Sequence, residues 1–158
     1  MKLLRADAPP GVEVTTLSPV RAGEFKPKPG RSGRINVALV GIALEKSLRN
    51  VPGRSDSPAP KQPNAVFNLS YLISAYAGLD ATAEGGVPHL LECAIRALFR
   101  QPVLTVAVTD AAGVKAENRI TLQLQELPFD QLTALWTALQ TNLQPSVVCL
   151  ARPVTVGF

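Results

Sequence analysis

Val66-Phe67-Asn68-Leu69-Ser70-Tyr71-Leu72-Ile73-Ser74-Ala75-Tyr76 is the stretch on which the reading of the fold turns. Phe67, Leu69, Tyr71, Ile73 and Ala75 alternate with Asn68, Ser70 and Ser74, and successive side chains of an extended chain point to opposite faces. The period predicts a β-strand with one apolar face, Leu72 being the exception. The stretch after it changes period. Leu90, Leu91, Ala94, Ile95, Leu98 and Phe99 recur at helical spacing until Pro102 stops the pattern.

Working outward, Leu104, Val106 and Val108 alternate up to Asp110-Ala111-Ala112-Gly113, and Ile120, Leu122 and Leu124 alternate beyond it, which predicts a β-hairpin. Leu132, Leu135, Trp136 and Leu139 form a second helical stripe, with Pro128 suited to its first turn and Asp130 to the positive end of its dipole. Trp136 and these leucines read as core. Ser146 to Val156 is a last strand, in which Pro153 must sit where no ladder donor is needed.

Upstream, Gly11 to Leu17 alternates and is rich in β-branched residues, as a first strand would be. Ile35, Val37 and Leu39 alternate, then Val40, Ile42 and Leu44 in the opposite phase, which predicts a long strand with a bulge or kink near Gly41, or one buried on both faces. Two proline-rich loops separate these strands. One spans 18–33; the other spans 48–64, reads as exposed and mobile, and cannot form a ladder. The order predicts an α+β fold: a mostly antiparallel sheet covered by two helices. No internal repeat of 20–50 residues is visible, so residues 1–158 read as one domain.

The functions open to such a chain are bounded mainly by what its chemistry lacks. His89 is the only histidine and reads as a capping or surface group just before the first amphipathic helix. A Ser-His-Asp or Cys-His pair would have to be built on it. Cys93 and Cys149 fall in apolar patterns with no CxxC spacing, as buried thiols of a reducing compartment do. Gly30-Arg31-Ser32-Gly33 and Gly85-Gly86 fail the phosphate-loop and dinucleotide spacings. No metal, cofactor or catalytic role is expected. No apolar run reaches the roughly 20 residues that span a bilayer, and the early charges rule against a signal peptide, so a cytoplasmic protein without membrane contact is expected.

Charge is the positive signal. The net +4 is uneven: residues 1–61 hold eleven Lys or Arg against five Asp or Glu, whereas residues 62–158 hold five against seven. Arg21, Lys26, Lys28, Arg31 and Arg34 crowd the first proline-rich loop. A segment of this kind meets an acidic protein surface or nucleic acid, or keeps the chain soluble. Single-strand readers add aromatic platforms, and here only Phe25 lies among the basic residues, which weighs against nucleic acid.

Taken in order, the Phe67–Tyr76 strand, the Leu90 to Phe99 helix ending Gln101-Pro102-Val103-Leu104, Leu132-Thr133-Ala134-Leu135-Trp136-Thr137-Ala138-Leu139, and Gln144-Pro145-Ser146-Val147 leading into the last strand resemble the N-terminal domain of cap proteins of antifeeding-prophage-type extracellular contractile injection systems. The resemblance covers roughly residues 34–156. It departs in the short stretch before Gly11, where Lys2-Leu3-Leu4 would be the last turn of a fuller helix, and over Thr105 to Arg119.

The resemblance implies a phage tail-terminator-like fold, a hexameric ring, contact with the last layer of inner tube and contractile sheath, assembly in the cytoplasm and no catalysis. On that basis Arg21, Lys26, Lys28, Arg31 and Arg34 become candidates for a contact between subunits or with the tube. The edge of the last strand at Val154, Thr155 and Val156 becomes a candidate for β-augmentation by a sheath terminus or neighbouring protomer. The alternative is a basic nucleic-acid-binding or general protein-interaction module.

Overall fold

The computed structural model describes residues 2–24, 33–45, 64–77, 86–109 and 115–157. They form α1 (Lys2–Asp7), β1 (Val12–Thr15), α2 (Pro19–Gly23), β2 (Gly33–Leu44), β3 (Asn64–Ala77), α3 (Val87–Arg100), β4 (Val103–Thr109), β5 (Lys115–Gln125), α4 (Phe129–Ala138) and β6 (Ser146–Gly157). The six strands make one sheet in the order β1-β2-β3-β6-β5-β4. Only β1 and β2 run parallel, so the sheet is mixed.

The decisive strand, β3, sits inside the sheet between β2 and β6 and is buried on both faces from Leu72 to Tyr76. Ile73 and Ala75 face one core with Ile35 of β2, Cys149 of β6 and Leu90, Ala94, Ala97 and Leu98 of α3. Leu72 faces the other, packed with Val148 and Trp136 of α4. The apparent exception to the alternation is therefore the centre of a second core. Each such buried large side chain contributes about 1.5–3 kcal/mol of transfer free energy.

The expected cover of two helices is met in coarse form by α3 and α4, with the short helices α1 and α2 besides. Helices lie on both faces: α3 with α1 on one, α4 on the other. Asp7 of α1 accepts a hydrogen bond from Arg100 Nη1 at 2.5 Å, which ties α1 to the end of α3. Gly33 sets how closely α3 approaches the sheet, since a Cβ there would lie 2.6 Å from Leu90 Cδ1 and 2.9 Å from the Tyr76 carbonyl oxygen.

Part of the first proline-rich loop is helical. Ser18 Oγ accepts the Arg21 amide at 3.4 Å and Pro19 occupies the first turn of α2, where its missing N–H costs nothing. Residues 25–32 and 46–63 lie outside the described residues, and Asn64, expected in the second loop, already belongs to β3. The expected irregularity near Gly41 is present as a register shift between Leu39 and Gly41. The expected hairpin is present too, with Val103↔Thr121 through Thr109↔Lys115 in antiparallel register; its turn, 110–114, lies outside the described residues.

Asn36, Ser74 and Ser146 form a row across β2, β3 and β6 on the α4 face. Asn36 is fully buried; its Oδ1 accepts from the Thr15 hydroxyl and the Leu17 amide at 2.8 Å each, and its Nδ2 donates to the Leu17 carbonyl at 3.0 Å. The side-chain amide thus pairs with Leu17 as a peptide group would. It continues the short parallel ladder beyond Thr15 without leaving a buried amide unpaired.

Candidate interaction surfaces

Of the five basic candidates, Arg21 and Arg34 are described and Lys26, Lys28 and Arg31 are not. Arg21 lies exposed on α2. Arg34 belongs to β2 rather than to a loop, because β2 begins at Gly33. Its Nη2 meets Glu13 Oε2 at 2.9 Å, its Nε donates to the same oxygen at 3.3 Å, and its Nη1 donates to the Ala22 carbonyl at 3.4 Å. With a side chain only 13% exposed, Arg34 fastens β1 and α2 to the sheet.

Val154, Thr155 and Val156 lie on β6, and β6 is an interior strand; the sheet edges are β1 and β4. The expectation of a plain edge strand is corrected, yet part of β6 is open on one side. Its ladder with β5 ends at Thr121↔Arg152, while its ladder with β3 continues through Phe67↔Val154 to Asn64↔Gly157. The register with β3 shifts between Phe67 and Leu69, so Arg152 and Pro153 stand together opposite Asn68. Pro153 therefore sits in a bulge, as its missing N–H requires. There the ladder between β5 and β6 ends. Among the described residues, Lys115–Ile120 ladders only with β4 and 153–157 only with β3.

This fork opens beside an apolar concavity on the α1/α3 face of the sheet. Its volume is about 520 Å³, and Leu69, Tyr71, Leu104, Ile120, Leu122 and Val154 are among its lining residues. Leu39, which also lines it, and Ile42 of β2 leave apolar surface exposed at the same end of the β2–β3 pair. The cavity lining comes from five separate strands and two helices, so no local stretch of sequence announced it.

His89 lies within the first turn of α3, not before it, because the helix starts at Val87 after an N-cap at Gly86. Its Nε2 is 3.6 Å from Cys93 Sγ and its Nδ1 is 3.6 Å from Glu92 Oε2. An activated Cys-His pair needs a lowered thiol pKa. Burial instead pushes the Cys93 thiol up, against a smaller downward pull from Arg96. Burial also raises Cys149, which is more deeply enclosed against the sheet. Both thiols are free, and among the described residues no group of three or more His, Cys, Asp or Glu could hold a metal ion. No described helix is long and apolar enough to cross a membrane.

The described residues thus form one mixed six-stranded sheet with helices on both faces. The fold is similar to that of a chain of the PVC sheath/tube terminator of an extracellular contractile injection system in the extended state, with a TM-score of 0.68, 16% identity and coverage of 99% of this chain and 53% of that one. It is similar also to the tube-terminating cap of the anti-feeding prophage, with a TM-score of 0.65, 16% identity and coverage of 99% and 52%. This chain thus spans about half the length of either. The chain belongs to the family of the Pvc16 N-terminal domain, whose model matches residues 1–158. Among curated proteins, none matches its sequence.

Proposed function

We propose that this domain is a structural cap subunit that closes one end of a contractile injection particle and ends growth of its inner tube and sheath. The observation that carries the reading is the shared fold over 99% of the chain with a sheath/tube terminator, together with membership of the Pvc16 N-terminal domain family. The domain acts as one unit of a homohexameric ring, assembled in the cytoplasm before or during docking. One face of the ring complements the last tube layer and the other offers no copy of the repeating surface, so stacking stops there. Closed cyclic assemblies with heterologous contacts behave in this way.

The basic segment supplies one ring or tube contact through Arg21, Lys26, Lys28 and Arg31. Arg34 supports that contact from behind by holding α2 in place through the Ala22 carbonyl. The open part of β6 at Val154, Thr155 and Val156 supplies a second contact, toward the sheath or a neighbouring protomer. Work of this kind needs rigid surfaces rather than a reactive site, and the reading assigns the domain no catalysis.

Light scattering or mass photometry on the purified protein tests the ring. A mass near six chains is expected. A monomer at all accessible concentrations, with or without tube protein present, would contradict a ring-forming subunit.

A further inference from the structure

We infer that the fork between β5 and β6 is a docking slot for an extended acidic peptide strand with apolar residues at alternate positions. In an antiparallel strand the N–H and C=O of one residue point to the same side, and successive residues alternate sides. The Glu45 amide donates to the Val66 carbonyl at 2.8 Å, so Val66 faces β2. Its partner on the other ladder is Thr155, which therefore turns its N–H and C=O away from β3 and into the fork.

The opposite arm obeys the same rule. The Leu122 amide donates to the Pro102 carbonyl at 2.7 Å on the β4 side, so Arg119, three residues earlier, presents its backbone groups to the fork. Beyond the last rung, Thr121↔Arg152, both arms thus offer unladdered donors and acceptors among the described residues. A strand entering here finds main-chain partners, as in β-augmentation.

The two faces of the slot select its side chains. Ile120, Leu122 and Val154 face the concavity of about 520 Å³, which takes apolar groups from alternate positions of the guest. On the opposite face stand the exposed guanidinium groups of Arg119 and Arg152, with Glu117 further along β5; Arg152 Nη2 is oriented by Gln123 Oε1 at 2.7 Å. Two cations nearest the apex favour carboxylates at the intervening positions of the guest. The inference deepens the reading of Val154 to Val156 as a contact and rests on the cap proposal only in expecting a particle protein to supply the strand.

The test is a titration of the purified protein with a nine-residue peptide of alternating glutamate and valine, beside a lysine-valine peptide and a glutamate-valine peptide N-methylated at alternate residues. Binding of the first is expected, weaker by about tenfold or more for the other two. Amide exchange at Arg119 and Thr155 should slow on binding. Arg119→Glu, at an exposed position, should invert the preference between acidic and basic peptides without altering the melting temperature, and Thr155→Pro should abolish binding. No binding, equal binding of all three peptides, or protection confined to the β1 or β4 edge would overturn the slot. So would slow exchange at Arg119 and Thr155 before any peptide is added. A protein that binds the peptide but fails to cap particles would remove the cap reading and leave the slot standing.

Discussion

Arg34 and Glu13 face each other across the parallel β1–β2 ladder with Nη2 and Oε2 2.9 Å apart, and the same guanidinium reaches the Ala22 carbonyl. One side chain thereby holds a short edge strand and a one-turn helix on the sheet. Glu13→Gln should destabilise the protein by about 1–2 kcal/mol, between the values for exposed pairs and for pairs broken in the interior. Chemical denaturation measures the loss, and faster exchange of the β1 amides would locate it.

Trp136 is almost fully buried and its Nε1 donates to Ser146 Oγ at 3.1 Å, joining α4 to the first residue of β6. Trp136→Ala should cost about 3–5 kcal/mol through the cavity it leaves. Trp136→Phe should cost less, about 1–3 kcal/mol, from the lost hydrogen bond and part of the ring volume. A denaturant series on the two variants separates packing from hydrogen bonding.

At Gly33 the helix and sheet touch too closely for a side chain. Gly33→Ala should cost about 1–3 kcal/mol, because the new Cβ meets both the end of Leu90 and the fixed Tyr76 carbonyl. The double variant with Leu90→Ala should be less destabilised than the two single costs together, since one of the two clashes is gone. Strict additivity would show that Leu90 is not the group displaced.

Burial raises the thiol pKa of both Cys93 and Cys149, so the unfolded chain gives up these protons first as pH climbs. Their contribution to stability is fully present below the ordinary thiol value of about 8.5 and is lost as pH rises through the folded-state values. Tyr71 and Tyr76, also raised by burial, extend the loss to higher pH. The melting temperature should therefore fall from about pH 8.5 upward, and the Cys93→Ala/Cys149→Ala variant should flatten the first part of that fall. Native thiols should react with iodoacetamide far more slowly than unfolded ones.

What the sequence made legible was whatever repeats locally. The alternation around Tyr71, the helical stripe from Leu90 to Phe99 and the phase switch beside Gly41 each became the element expected. Leu72 and Arg34 show where that reasoning stops. Leu72 reads as an exception in a one-faced strand because nothing local tells that α4 returns to cover the second face. Arg34 read as a loop cation because its partner, Glu13, is fixed only by a ladder between distant segments. Ser18-Pro19 did carry a local cap signal for α2, outweighed by the prolines and glycines after it. The fork depends on where β5 and β6 part company, and the one local sign of it, Pro153 within a strand, was read only as a constraint on the ladder.

The central claim is that this domain ends the growth of a tube and sheath. Electron microscopy of particles from cells that produce the tube and sheath proteins, with and without this protein, tests it most directly. With it, particles should share a defined length and carry density for a ring at one end. Without it, tubes should vary in length and end without that density, with sheaths detached or contracted. Particles of normal length with that end intact in the absence of the protein would contradict the account.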